Sequence, residues 1–289
     1  MEGVLDPVDV LLVVSPTAMT DLPSPGVHLL RACCREAGIH IELLYANLLY
    51  SRLLGVELHR SISLDWHLLM GERLFAAAAF GDETLALAPA AAKFSDPGWV
   101  PDHLWKIKEK TTTDQKFCGG PGGGFSKEPP GRRRLKSILT VPPVPEPVVS
   151  FRKWQAGVDL SRLETLTSDW EHDLARRIVG RGYRIVGCST SCGGLLPCIA
   201  LLEAVKKANP TIITILGGPL CEGEMAEGIV TLKTHIDYIF SGEGEITFPA
   251  FVQQVLAGNP PKERILCGQP VHDLDTIPVP DYRTYLEQV

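Results

Sequence analysis

The sequence predicts a doubly wound α/β domain, a mostly parallel five-stranded Rossmann-like sheet interrupted by a long irregular insertion. Three observations predict it. Short apolar runs alternate with stretches of helical periodicity, the connections between them are brief, and glycine- or hydroxyl-rich turns follow the runs. Strands in such an alternation run parallel and are covered on both faces, so their residues are apolar throughout.

Residues 9–16 (DVLLVVSP) form the first of these runs and read as a strand buried on both sides. Pro23, Pro25 and Gly26 then lead into a helical pattern over residues 28–37, closed by Gly38. Residues 39–44 (IHIELL) give a second strand, and the crossover between the two is expected to be right-handed. Residues 64–80 read as one helix with Asp65 as its cap. From 81 to 159 the pattern collapses into an alanine-rich patch, a glycine run at 119–124 and a proline-crowded stretch from 129 to 147. Such composition buries too little apolar surface to offset its ordering entropy, so an insertion or linker, partly disordered, is expected there. The glycine run lacks the following Gly-Lys-Ser/Thr and the leading strand of a phosphate loop, and Arg132-Arg133-Arg134 reads as a solvated charge run.

Order returns with a helix at 163–181 whose last turn carries Arg176, Arg177 and Arg181, where cations suit the helix dipole. Strands follow at 183–188, 211–216 and 238–240, alternating with helices at 194–208, from about Glu222, and at 248–256, the last ended by Gly258. Two strands before the insertion and three after it are expected to build one sheet. A ligand should then sit at the carboxyl ends of the strands, near the switch in strand order.

Bulk properties narrow the function. The net charge of −6 gives no global basic field for nucleic acid or an acidic membrane surface. No apolar stretch is long enough to span a bilayer, and the start MEGVLD lacks the basic end and apolar core of a secretory signal, so a cytoplasmic location is expected. The eight cysteines are scattered, as buried thiols in a reducing compartment are. Only Cys188, Cys192 and Cys198 cluster, spaced C-x3-C-x5-C, which matches neither zinc nor the usual iron–sulfur spacings, so no metal is assigned to them.

Three loops lie at the expected carboxyl edge. Ser189-Thr190-Ser191-Cys192-Gly193-Gly194 offers three hydroxyls and two glycines before a helix, more than the single cap that a helix start requires. Gly217-Gly218-Pro219 follows a buried strand, and two glycines there let a bulky group approach the backbone. In Ser241-Gly242-Glu243-Gly244-Glu245 the acids suit either ligand hydroxyls and amides or the start of the next helix. No catalytic constellation appears: the eight histidines do not cluster, and H-E-x-x-H, G-x-S-x-G and G-x-G-x-x-G after the first strand are all missing. These residues describe a binding module rather than a self-sufficient enzyme.

Residues 183–220 (YRIVGCSTSCGG through TIITILGGPL) with 238–245 (YIFSGEGE) resemble the cobalamin-binding domain that precedes the barrel in B12-dependent radical SAM enzymes. The segments PSPG at 23–26, YANLLY at 45–50, GERLF at 71–75, GGPLCEGEM at 217–225 and PVPDY at 278–282 narrow it further. They are similar to the amino-terminal part of radical SAM proteins that mature ribosomally made peptides, often by C-methylation. The resemblance implies a B12-type module over 1–258 and a carboxy-terminal extension over 259–289 that in relatives leads into the barrel. It implies that Ser189 faces the nucleotide tail of cobalamin, that Gly217 and Gly218 make room for it, and that the loop from Pro16 and Thr17 to Gly26 lies beneath the corrin. Thr190, Ser191, Pro219, Gly242, Glu243 and Gly244 complete the implied cofactor-binding set.

Two departures qualify what is implied. The D-x-H-x-x-G motif that supplies a lower-face histidine is missing, since the first strand runs into Ser15-Pro16-Thr17-Ala18, so any cobalamin would be base-off without a protein imidazole. The C-x3-C-x2-C of the iron–sulfur cluster is also missing, so this chain holds no such cluster and performs no radical chemistry alone. The leading expectation is a cobalamin module, as a fragment or standing alone, that partners a radical SAM barrel and a precursor peptide and carries a methyl group for transfer to a peptide carbon. The alternatives are a cofactor-free scaffold of the same fold that binds a peptide or protein, and a nucleotide-binding regulatory domain.

Overall fold

The computed structural model describes residues 8–64, 69–81, 160–232 and 235–289. The insertion, the glycine run at 119–124, the Arg132–Arg134 triplet, Cys118 and the expected cap Asp65 lie outside the described residues. Met1–Leu85 and Asp159–Val289 belong to one compact unit, and Ala86–Val158 to another.

The first unit contains a sheet of six strands in the order β2-β1-β3-β4-β5-β6. These are β1 (Val10–Val14), β2 (Ile41–Tyr45), β3 (Ile185–Ser189), β4 (Ile213–Gly217), β5 (Tyr238–Ser241) and β6 (Ile265–Cys267). Every pairing is parallel. The doubly wound α/β class and the assembly of one sheet from both sides of the insertion are therefore as the alternation of runs predicts. The strand count is not: β6 extends the sheet beyond the five expected. Its three residues, paired Ile239 to Ile265 and Ser241 to Cys267, are too few to leave a periodic signal.

Helix α1 (Pro25–Glu36) starts with Pro at its first turn and ends before Gly38, whose φ is 76°. Three helices then follow β2: α2 (Ala46–Leu54), α3 (Val56–Leu64) and α4 (Met70–Phe80). The helix expected over 64–80 is α4, which starts at Met70, while α3 before it is unexpected, and α2 leaves β2 at Tyr45 without any turn residue to announce it. Gly55, at φ 85°, separates α2 from α3. After the insertion come α5 (Leu160–Val179), α6 (Leu195–Ala208), α7 (Glu224–Thr231), α8 (Thr247–Leu256) and a four-residue α9 (Arg283–Leu286).

The two faces of β1 are divided by the two-residue period of a strand. Val10, Leu12 and Val14 enter one core with Val27 and Cys34 of α1 and Phe248, Phe251, Val252 and Val255 of α8. The α8 residues sit at i, i+3, i+4 and i+7, one helical stripe, and burying each contributes about 1.5–3 kcal/mol. On the other face α6 packs against α4 and α5. Pro197 through Val205 are all buried, because this helix is covered by the sheet below and by two helices above.

Candidate functional site

Register brings the loops together. Val14 pairs with Tyr45 and with Ser189, and Ser189 pairs with Gly217, so the carboxyl ends of four strands form one row. Pro16 and Thr17 follow β1, Thr190 and Ser191 follow β3, Gly218 and Pro219 follow β4, and Gly242, Glu243 and Gly244 follow β5. Every residue singled out in the sequence therefore lies along one edge, and the order of strands reverses between β1 and β3.

That switch point is packed by the chain itself. Ser15, fully buried, donates to the Gly194 carbonyl at 3.3 Å, and the Thr17 hydroxyl donates to the Gly193 carbonyl at 2.9 Å. A Cβ on Gly71 of α4 would stand 2.7 Å from the Gly193 carbonyl oxygen and 3.0 Å from Thr17 Cγ2. Three segments meet there with no space for a side chain at Gly71 or Gly194.

The start of α6, which would be the phosphate seat in such a fold, is filled by a carboxylate. Glu72 Oε1 accepts from the Leu195 amide at 3.0 Å and Oε2 from the Leu196 amide at 2.6 Å. Burial pushes the Glu72 carboxyl above its ordinary range, and the two amide bonds oppose that shift. A phosphate arriving there would have to displace a carboxyl group that is already doubly hydrogen-bonded.

The glycine pair is accounted for in the same way. Gly218 has φ 109°, and a Cβ on it would lie 2.6 Å from the Thr190 carbonyl oxygen and 2.8 Å from Thr190 Oγ1. Thr190 is buried, donates from its amide and hydroxyl to the Gly217 carbonyl at 2.7 and 3.0 Å, and accepts from the Leu220 amide at 3.3 Å. A Cβ on Gly217 would meet Phe240 Cβ at 3.4 Å, and one on Gly244 would meet Leu30 Cδ2 at 2.9 Å. Gly218 and Gly244 admit a neighbouring part of the chain, while at Gly217 a Cβ would make only an ordinary contact. Glu243 is committed as well, its Oε2 accepting from the Val271 amide at 2.7 Å. Beside Gly218 and Gly244 the space next to the backbone is thus taken by Thr190 and Leu30.

What remains open at this edge is shallower. Gly218, Pro219, Gly242 and Glu243 are exposed, and Ser189 and Ser191 are half-buried, with no side-chain hydrogen bond among the described residues. Cys188, Cys198 and Cys221 are buried, and burial pushes the Cys198 thiol well up and that of Cys221 to about 12, which disfavours the thiolate at those two. Among the described residues no group of three His, Cys, Asp or Glu side chains is placed to hold a metal ion.

No family model, curated protein or solved structure matches this chain.

The loop after β1 is braced by residues that carry no sequence signal. His59 Nε2 donates to the Pro16 carbonyl at 2.8 Å, and Asn47 Nδ2 to the Met19 carbonyl at 2.9 Å. His59 is buried, which lowers its pKa and keeps the ring neutral with its proton on Nε2. These partners lie 43 and 28 residues away from the atoms they hold, beyond the reach of any local pattern.

Proposed function

We propose that this chain is the α/β module of a radical SAM peptide-maturation system and acts as a non-catalytic platform that docks the barrel at the carboxyl edge of its sheet. One observation supports this reading most directly. Large apolar side chains stand exposed in the segments that follow the strand ends: Met19 (45%) and Leu22 (67%) after β1, Met225 (49%) after β4 and Ile246 (49%) after β5. They rim an edge whose deeper positions are already filled by Thr190, Leu30 and Glu72. An apolar rim over a pre-packed floor suits a protein surface better than a small ligand needing a concave pocket. Methionines in such a rim adapt to a partner's shape. The family resemblance supplies the partner's identity, and the missing three-cysteine motif gives the chain a reason to need one.

Titrating the chain with a separately produced radical SAM barrel from a peptide-maturing protein, followed by calorimetry, tests this. Saturable binding that Leu22→Asp and Met19→Asp each weaken tenfold or more is expected, about 1.4 kcal/mol apiece. Binding untouched by either change, and by Met225→Asp, would show that the edge is not the contact face.

A second reading is favoured by the free Ser189 and Ser191 hydroxyls. Cobalamin could rest its ring on the exposed Gly218-Pro219 and Gly242-Glu243 surface, with its nucleotide arm outside the strand gap.

A further inference from the structure

We infer that residues 281–288 form a latch that sets the conformation of the loop following β1, coupling the carboxy-terminal segment to the ligand-side edge of the sheet. The inference stands on contacts within this chain and does not need the docking partner proposed above.

The segment is fastened at both of its flanks. The Asp281 carbonyl accepts from Arg31 Nη2 at 2.7 Å and from His28 Nδ1 at 2.8 Å, and the Tyr282 ring lies tilted against that of His28 with centroids 4.7 Å apart. Thr284 Oγ1 accepts from Arg31 Nη1 at 3.1 Å and shares a 2.8 Å hydrogen bond with the Tyr45 hydroxyl. At the far side Arg52 donates to the Gln288 carbonyl at 3.0 Å. The segment thus bridges α1, the end of β2 and α2.

Its centre reaches the loop. Tyr285 is 2% exposed, lies edge-on to Tyr45 at 5.3 Å, and donates its hydroxyl to the Thr20 carbonyl at 2.5 Å. Helix α9 has only four residues, far below the length at which an isolated helix holds itself together, so docking is what keeps it folded. Segment and loop should therefore order and loosen together.

A second observation concerns the residues that hold this loop. Among the described residues four buried side-chain polar atoms have no hydrogen-bond partner, and two of them, Asn47 Oδ1 and Arg60 Nε, belong to residues that hold this loop. Asn47 binds Met19 through its other amide atom, and Arg60 pairs with Asp21 at 3.6 Å. Unmet buried polar groups penalise the latched arrangement, as a switchable element requires. Outward, Leu286 (68%) is exposed on the segment and Val279 (83%) just before it, and the two offer a handle by which a bound protein would pull it free.

Hydrogen–deuterium exchange on the full chain tests the latch. Tyr285→Phe removes only the hydroxyl bond to Thr20, and Arg31→Ala removes one of the two hydrogen bonds at each of Asp281 and Thr284. Both are expected to speed exchange at least tenfold in residues 18–22 as well as 281–288, with β3 and β4 unchanged. Faster exchange confined to 281–288 would overturn the coupling, and so would full protection of both segments in both variants. Should Arg31→Ala unfold the domain, Thr284→Val is read in its place by the same criteria.

Discussion

Gly218 and Gly193 both occupy left-handed backbone, at φ 109° and 71°, yet they differ in what surrounds them. A Cβ on Gly193 would meet nothing within 4 Å, whereas on Gly218 it would strike the Thr190 backbone at 2.6 Å. Gly193→Ala should therefore cost only the conformational penalty, about 1 kcal/mol, and Gly218→Ala about 2–4 kcal/mol because Thr190 must also move. Urea unfolding of the two variants checks the difference. At Glu171 the effect is electrostatic. Its carboxyl is 1% exposed, Oε2 has no hydrogen-bond partner, and burial pushes the pKa up to about 7 against the opposing pull of His172 and Lys207. The folded state then holds a proton that the unfolded state has released, so Glu171 makes stability fall as pH rises from about 4.5 to about 7. Glu171→Gln should flatten that limb and raise the midpoint of thermal unfolding at pH 8, as scanning calorimetry across the window would show.

Elements differ in how much of themselves the amino-acid order reveals. Strand β1 is legible because VLLVV is buried at all five positions, and α8 because Phe248, Phe251, Val252 and Val255 fall on one stripe. Phe251 lies within 5.3 Å of Phe240 and 4.9 Å of Tyr238, ring to ring, so Phe251→Ala should lose about 3–5 kcal/mol, measurable by urea unfolding. Helix α2 and strand β6 are illegible for opposite reasons. The first leaves β2 with no turn residue between them, and the second is three residues long and gains its order from pairing with β5. Helix α4 starts after Leu69, which takes φ 50°, a conformation that leucine does not advertise.

For the molecule as a whole, the position of the candidate edge was legible and its state was not. Alternating runs fix a parallel sheet, a parallel sheet aligns its carboxyl ends, and the glycines and hydroxyls at 189–191, 217–219 and 242–244 mark those ends. Whether a glycine makes space for a ligand or for its own chain depends on partners distant in sequence. Leu30 fills the space at Gly244, Thr190 at Gly218, and Glu72 lies 123 residues from the amide it caps. Composition cannot report such pairings. The edge is therefore filled by Thr190, Leu30 and Glu72 at its floor while Pro219, Gly242 and Glu243 stay exposed, which is the basis of the proposed docking role.

Incubating the purified chain with hydroxocobalamin and recording its absorbance after gel filtration tests that account most directly. The packing at Thr190, Leu30 and Phe240 predicts that the protein peak emerges without corrin bands. Stoichiometric bands travelling with the protein, and lost in Gly218→Ala, would contradict it and restore cobalamin to the edge.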